Sequence, residues 1–327
     1  MMRNKLLEYK NVAAQFHTIE GVTNTINDID LTIYEGMSLG IVGESGCGKS
    51  VTARLPIRLL PEPSFRITHG DVIYHRNGEP FEVLKTKRNG KEINKIRGKE
   101  ISMIFQEPMS SLSPIHTVGS QMIELIMQHT DMDKKQAKEH AIHMLDRARV
   151  PRAREVYDDY TFQLSGGMRQ RVMIAMAVSC SPRLLFADEP TTALDVTVQA
   201  QILSLIKDIQ REQNMALVLI THDLAVVANM VDEIAVFYLG YIVEHGTTDQ
   251  ILKNPKHPYT KALIESIPTL HTNEPLKPIK GSIPDPYSKI TGCPFWKRCN
   301  QVTDRCRQEV PPFVTQEDDH KVRCFEA

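Results

Sequence analysis

One segment of the sequence places glycines, a lysine and a serine in the pattern G-x-x-x-x-G-K-S/T: Gly43-Glu44-Ser45-Gly46-Cys47-Gly48-Lys49-Ser50. Glycines let successive backbone N–H groups converge on phosphate oxygens, a lysine ammonium adds a cation for the outer phosphates, and a serine hydroxyl can bind magnesium. The segment follows an apolar run, Met37 to Val42, and precedes a predicted helix. We therefore predict a loop that holds a polyphosphate together with Mg²⁺.

A pair of carboxylates at the end of another apolar run could complete this chemistry. Residues 184–187 are Leu-Leu-Phe-Ala, and Asp188 and Glu189 follow directly. Phosphoryl transfer needs positioning and charge neutralisation more than covalent chemistry. We predict that Asp188 holds magnesium through water and that Glu189 polarises an attacking water, which makes the two motifs a nucleotidase site.

Short apolar runs alternate with helical stretches around these residues. Buried-strand patterns occur at Leu184 to Ala187, Ala216 to Ile220 and Ile234 to Phe237, and a helical pattern covers Thr197 to Gln213. Helical spacing also recurs between the phosphate loop and the first of these runs, where Asp133 with Gln136 three residues later predicts a helix start. The alternation predicts an α/β fold with a largely parallel sheet and a helical insert.

Composition excludes several classes of protein. The chain has 327 residues, 41% of them hydrophobic, so it can bury a large core. Its 39 basic and 40 acidic residues give a net charge of −1, which disfavours a primary nucleic-acid binder. No apolar run approaches the roughly 18 residues of a membrane helix, and the N-terminus lacks the features of a secretory signal. We expect a cytosolic chain that does not span a bilayer by itself.

The segment Leu164-Ser165-Gly166-Gly167-Met168-Arg169-Gln170-Arg171 resembles the signature of ABC ATPases. Other motifs of that family occur in its order: Gln106 as the Q-loop glutamine, Ala193-Leu194-Asp195 as the D-loop and His222 as the switch histidine. The resemblance covers residues 1 to about 250. It implies a P-loop ABC ATPase domain with a mostly parallel sheet core, an antiparallel β subdomain and a helical insert.

The resemblance also implies roles for individual residues. Glu189, His222 and Gln106 are expected to act in catalysis, and Ser50, Gln106 and Asp188 to bind Mg²⁺. ATP contacts are implied for an adenine-stacking aromatic, the phosphate loop, the signature and the D-loop: Phe16, Gly43, Glu44, Ser45, Gly46, Cys47, Gly48, Lys49, Ser50, Val51, Ser165, Gly166, Gly167 and Asp195.

The signature points to a second ATPase chain. Ser165 and the N–H groups after Gly166 and Gly167 open a predicted helix, whose N-terminus attracts anions. In the family two such domains face head to tail, and each signature closes over the ATP of the other. We expect the second ATPase subunit to be a related but different chain, so that the pair is a heterodimer.

After about residue 251 prolines are frequent and hydrophobic periodicity is weak, apart from a short helix predicted at Thr260 to Ser266. Residues 254–263, Asn-Pro-Lys-His-Pro-Tyr-Thr-Lys-Ala-Leu, resemble the C-terminal extension of oligopeptide and dipeptide permease ATPases, a group that includes nickel and other metal-chelate importers. We therefore predict an ABC nucleotide-binding domain at 1–253, with a helical subdomain at about 107–165, and a small irregular extension at 254–327.

Four cysteines in this extension form the pattern C-x5-C-x6-C-x17-C: Cys293, Cys299, Cys306 and Cys324. Thiols clustered in a reducing compartment suggest a metal rather than disulfides. Zinc usually takes closely spaced cysteine pairs, which this pattern lacks. Permease ATPases with this tail resemble proteins that carry a [4Fe-4S] cluster. We expect such a cluster, with zinc or unligated thiols as the alternatives.

The resemblance implies the ATP-hydrolysing subunit of an importer for short peptides, at the cytoplasmic face of the cell membrane. Its expected partners are two transmembrane permease subunits and an extracytoplasmic solute-binding protein. Import of nickel or another metal chelate by the same machine is one alternative. A soluble ABC ATPase acting on nucleic acid or ribosomes is an alternative of another class, which the near-neutral charge disfavours.

Overall fold

The computed structural model describes residues 3–107, 111–192, 194–267, 278–288 and 290–327. The strands are β1 (Lys5–His17), β2 (Val22–Tyr34), β3 (Ser38–Val42), β4 (Phe65–Arg76), β5 (Glu79–Glu82), β6 (Ile101–Ile104), β7 (Leu184–Asp188), β8 (Ala216–Ile220), β9 (Glu233–Tyr238), β10 (Tyr241–Thr247), β11 (Val314–Thr315) and β12 (Lys321–Val322). The helices are α1 (Lys49–Arg54), α2 (Lys91–Asn94), α3 (Val118–His129), α4 (Lys134–Arg147), α5 (Ala153–Val156), α6 (Gly166–Val178), α7 (Val196–Gln213), α8 (Leu224–Met230), α9 (Thr248–Lys253), α10 (Pro258–Glu265) and α11 (Asp304–Gln308).

The chain divides into two compact units. The first unit comprises residues 1–34, 38–85 and 219–327, and the second comprises residues 35–37 and 86–218. The phosphate loop and the C-terminal cysteines belong to the first unit, whereas the carboxylate pair and the signature belong to the second.

The first unit contains an antiparallel sheet in the order β2-β1-β4-β5 and a mixed sheet in the order β11-β12-β10-β9-β3. In the mixed sheet β3 runs parallel to β9, with Leu39 opposite Glu233 and Val42 opposite Val236. All five residues of β3 are buried, as expected for a strand covered on both faces. The phosphate loop therefore directly follows a fully buried strand.

The second unit combines helices with a parallel strand pair. Ile101 of β6 lies opposite Leu184 of β7, so both strands run in the same direction. Helix α4 begins where the sequence predicts, because Asp133 accepts a hydrogen bond from the Gln136 N–H and the Gln136 side chain accepts one from the Asp133 N–H. β7 is buried along its whole length and ends at Asp188. The carboxylate pair, Asp188 and Glu189, therefore lies at the C-terminal end of this strand.

The predicted α/β fold is confirmed, although the sheet of the first unit is mixed. β9 and β10 are antiparallel because only Leu239 and Gly240 separate Tyr238 from Tyr241. Both turn residues have positive φ, 45° and 82°. A two-residue turn of this type can join only antiparallel strands. The chain thus reverses beside a parallel pair, which the apolar runs alone do not predict.

The C-terminal segment, predicted to be largely irregular, contributes short elements to the first unit. Val322 of β12 lies opposite Glu244 of β10, and β11 pairs with β12 at the sheet edge. α10 covers most of the helix predicted near residue 260. Across the described residues, no helix combines the length and the apolar character needed to cross a membrane.

Candidate active site

The phosphate loop connects β3 to α1 and depends on glycine at two positions. Gly43 has φ of 152°, and a Cβ there would lie 2.2 Å from the Phe237 carbonyl oxygen. Gly48 has φ of 100°, and its Cβ would lie 2.5 Å from the Thr25 carbonyl oxygen. Backbone cannot yield as a flexible side chain can, so both sites exclude any other residue. Gly46 has φ of 78° but faces open space.

Lys49, the first residue of α1, is only 6% exposed and folds back over the loop. Its ammonium donates to the carbonyl oxygens of Gly43 at 2.8 Å and Glu44 at 2.9 Å. The Cys47 thiol is buried beneath it, and burial raises the pKa of that thiol. The geometry makes Lys49 a fixed cation and Cys47 a neutral packing residue.

Glu44 of this loop is held through all of its polar groups. Its N–H donates to the Tyr259 hydroxyl at 3.0 Å, and its carbonyl accepts from Lys49. Its carboxylate receives two hydrogen bonds from the Arg298 guanidinium, at 2.6 and 3.0 Å. Such a bidentate pair fixes orientation as well as distance. Two residues from the C-terminal segment therefore anchor the second position of the phosphate loop.

The other predicted nucleotide contacts of the first unit lie at four places along the chain. Ser45 is exposed on the phosphate loop, while Ser50 and Val51 lie in the first turn of α1. Phe16 lies on β1, half-buried, with its ring centroid 5.1 Å from that of Phe65. His222 is exposed just after β8. The roles in adenine stacking and at the γ-phosphate remain predictions.

The second unit brings two predicted catalytic residues into direct contact. The Gln106 side-chain N–H donates to Glu189 Oε2 at 3.0 Å, and the Thr192 hydroxyl donates to the same oxygen at 2.9 Å. Glu189 has φ of 45°, in the left-handed region that costs a non-glycine residue about 1–2 kcal/mol. Asp188 beside it is fully buried. A strained backbone and two donors thus aim one carboxylate at the end of β7.

The signature and the D-loop both lie at the N-termini of helices in the second unit. Ser165 caps α6 by accepting from the Met168 N–H at 3.3 Å, and Asp195 caps α7 by accepting from the Val198 N–H at 2.9 Å. A Cβ at Gly166 would meet nothing within 4 Å, which leaves that helix end accessible. Ala193 of the predicted D-loop lies outside the described residues, as do residues 108–110 after the Q-loop.

The four C-terminal cysteines of the first unit line one cavity, together with His257 and Phe295. Cys293 and Cys306 are 7% and 6% exposed. The Gln301 N–H donates to the Cys299 sulphur at 3.3 Å, and the Glu326 N–H donates to the Cys324 sulphur at 3.4 Å. Burial, with added repulsion from the other three thiols, raises the pKa of Cys293 to about 12. The cysteines are thus neighbours in space as well as in sequence.

The described residues do not show the predicted metal centre. Within the described part of the chain, no three His, Cys, Asp or Glu side chains form a group that could hold a metal ion. The thiols share a cavity without forming a ligand set for one ion, so the structure shows neither the [4Fe-4S] cluster nor its zinc alternative.

Three contributors to these sites were not predicted from the sequence. Thr192 touches Glu189, and only a hydroxyl three residues after the carboxylate could have suggested it. Tyr259 and Arg298 touch Glu44 from 215 and 254 residues away. No local pattern joins residues so distant, and only the fold reveals these contacts.

Comparison with protein families gives two matches. The model described as ABC transporter matches residues 26–192, and the model described as the C-terminal region of oligopeptide/dipeptide transporters matches residues 243–306. The first covers the phosphate loop, the signature and the carboxylate pair. The second covers Tyr259, Arg298 and three of the four cysteines.

Individual proteins are similar over nearly the whole chain. The dipeptide transport ATP-binding protein DppD of Bacillus subtilis is 44% identical, over 98% of this chain and 94% of its own length. The oligopeptide transport ATP-binding protein OppD of Haemophilus influenzae is 45% identical, over 95% of this chain and 94% of its own. A solved ATP-binding cassette, a dimer in a post-hydrolysis state with ADP and phosphate, aligns with a TM-score of 0.65 at 26% identity, over 74% of this chain and 99% of that chain.

Proposed function

This chain belongs to the ABC transporter family, and we propose that it is the ATP-hydrolysing subunit of an importer for short peptides. The observation that carries the proposal is a phosphate loop with the family's signature in the same chain as the C-terminal region of oligopeptide/dipeptide transporters. The similar proteins are dipeptide and oligopeptide transport subunits, which favours peptides over nickel chelates and over nucleic acid.

ATP binding is assigned to the residues of the first unit. The phosphate loop presents its backbone N–H groups, and the Lys49 ammonium offers positive charge to the outer phosphates. Phe16 offers a half-buried ring for stacking on adenine, and His222 an imidazole for the γ-phosphate. Bound Mg²⁺ would neutralise phosphate charge, and the predicted donors, Ser50, Gln106 and Asp188, supply only the oxygen ligands that it prefers.

Hydrolysis is assigned to the second unit, where Gln106 and Thr192 both donate to Glu189. These hydrogen bonds fix the carboxylate, whose proposed role is to orient a water and accept its proton. The amide nitrogen of Gln106 is used on Glu189, which leaves its carbonyl oxygen for the metal. Gln106 is therefore assigned to orienting the water-activating carboxylate.

We propose that two ATPase domains close head to tail over ATP, the second belonging to a related but different chain. Ser165 accepts a hydrogen bond from its own helix, so its hydroxyl proton remains available to a phosphate of the partner's nucleotide. Closure would move two transmembrane permease subunits fed by an extracytoplasmic binding protein. The chain would then sit at the cytoplasmic face of the membrane as a peripheral subunit.

Uptake in cells tests the transport function. In cells that express the permease subunits but lack this chain, wild-type protein is expected to restore uptake of a radiolabelled dipeptide or tetrapeptide, and Lys49→Ala is not, because it removes the cation on the phosphate loop. A labelled nickel chelate serves as the comparison solute. Restored nickel uptake without peptide uptake would contradict the proposal.

We further propose that the four C-terminal cysteines bind a [4Fe-4S] cluster. Each cysteine of such a cluster binds its own iron, so the four sulphurs need not converge on one point as they must around zinc. The shared cavity and the N–H groups that donate to the sulphurs of Cys299 and Cys324 support this choice, since such hydrogen bonds stabilise thiolates.

Metal analysis of the full chain tests the cluster. Protein purified without oxygen is expected to contain about four irons per chain and to absorb visible light, and Cys306→Ser is expected to lose both. Cys180→Ser, outside the C-terminal segment, is the control and should keep both. A folded wild-type chain without iron or visible absorbance would refute the cluster.

A further inference from the structure

We infer that Arg298, in the loop between Cys293 and Cys299, positions the phosphate loop for ATP by neutralising and orienting Glu44. The inference rests on the proposed role of that loop in ATP binding. It assigns Arg298 to nucleotide affinity although the residue lies 254 positions from Glu44 in the sequence.

The first step is the charge on Glu44. Its side chain is 23% exposed and belongs to the loop proposed to receive the phosphates. An unpaired carboxylate there would repel a polyanion. Arg298 supplies the compensating cation through two hydrogen bonds to Glu44. The pair presents the phosphates with no net charge.

The second step is the rigidity of Arg298 itself. Its side chain is 4% exposed, its Nε donates to the Lys280 carbonyl at 3.0 Å, and its Nη1 lies 3.3 Å from the Tyr238 hydroxyl oxygen. The guanidinium also lies 5.9 Å from the Phe295 ring centroid. A guanidinium that is contacted on several sides has a fixed position and orientation, unlike a mobile surface charge.

The third step is the aromatic support behind the loop. Tyr259, whose hydroxyl accepts from the Glu44 N–H, packs against Tyr238 at 4.7 Å and Phe295 at 5.4 Å between ring centroids. Tyr238 and Phe295 also meet edge to face at 5.2 Å. These three rings connect the phosphate loop with the cysteine segment through one packed cluster. Arg298 and Tyr259 are therefore positioning residues that act through Glu44.

Calorimetric titration of the purified full chain with Mg·ATP tests this inference. Arg298→Gln is expected to raise the dissociation constant for Mg·ATP about tenfold, because it removes both the positive charge and the bidentate hydrogen bonds to Glu44. Arg298→Lys keeps the charge but loses the bidentate geometry, so an intermediate rise of about threefold is expected. Arg305→Gln is the matched control, since Arg305 lies in the same segment and pairs with exposed Glu309 at 3.1 Å; it should bind as the wild type does.

The double variant Glu44→Gln/Arg298→Gln separates positioning from general damage. It removes the uncompensated charge, so its affinity should return to within about threefold of the wild type. A merely structural Arg298 would leave the double variant as weak as Arg298→Gln or weaker, and that result would overturn the inference. An Arg298→Gln affinity within twofold of the wild type would do the same.

Two further variants keep the outcome interpretable. If Arg298→Gln does not fold, Tyr259→Phe removes only the hydroxyl that accepts from Glu44, and it should weaken binding about threefold; unchanged affinity would count against the inference. Lys49→Ala reports on the proposed function itself. Binding that survives Lys49→Ala unchanged would refute the role of the loop, whereas loss there with wild-type affinity in Arg298→Gln would refute this inference alone.

Discussion

Replacing Glu189 by glutamine is expected to lower the ATP turnover number by about 10²–10⁴-fold while Mg·ATP affinity stays within about twofold of the wild type. The amide keeps the shape of the carboxylate, and its carbonyl oxygen can still accept from Gln106 and Thr192. It cannot take a proton from water. Hydrolysis should therefore fail at the chemical step, which single-turnover measurements on the assembled transporter can resolve from binding.

The control for this prediction is Glu212→Gln, in the same unit. Glu212 forms an exposed ion pair with Arg147 and has no contact with Gln106 or Thr192 among the described interactions. Its variant should hydrolyse ATP at the wild-type rate. Turnover by Glu189→Gln within about threefold of the wild type would show that another group activates the water.

Gly48→Ala is the second substitution with a large expected effect. Its methyl group would lie 2.5 Å from the Thr25 carbonyl oxygen at a φ of 100°. Overpacking against rigid backbone and left-handed strain together should lower the free energy of unfolding by about 3 kcal/mol. The same shift displaces the loop, so Mg·ATP binding should be lost. Urea unfolding and calorimetric titration measure the two effects.

Gly46→Ala is the matched comparison, because Gly46 has a positive φ of 78° but no atom within 4 Å of a built Cβ. It incurs the conformational penalty alone, about 1 kcal/mol. The difference between the two variants isolates the close approach to Thr25. Equal losses of stability at the two positions would contradict this explanation of why Gly48 is a glycine.

The parts of the fold and site that sequence reasoning predicted are those with local causes. The phosphate loop occupies eight consecutive residues, and its glycines report backbone conformations directly. The start of α4 at Asp133 follows from a capping box only four residues long. The strands around residues 184, 216 and 234 follow from apolar runs too short for helices.

The parts that escaped prediction depend on contacts between distant residues. β10 runs antiparallel to β9 because two turn residues, Leu239 and Gly240, have positive φ. Of these two, only the glycine is a residue type that indicates a turn in the sequence. The spacing of the cysteines predicts a shared donor set but says nothing about the distances between sulphurs. In the sequence Arg298 simply follows Lys297, and only its burial against Glu44 distinguishes it from a surface cation.

The separation between Glu44 and Arg298 also has a consequence for the growing polypeptide. At about 5–20 residues per second, the 254 residues between them take roughly 10–50 s to synthesise. During most of that interval the nascent chain contains the whole phosphate loop but not Arg298, whose guanidinium holds Glu44 in place. Polypeptides released early would keep the complete motif and lack Arg298, so the full affinity for ATP is expected only near the end of translation.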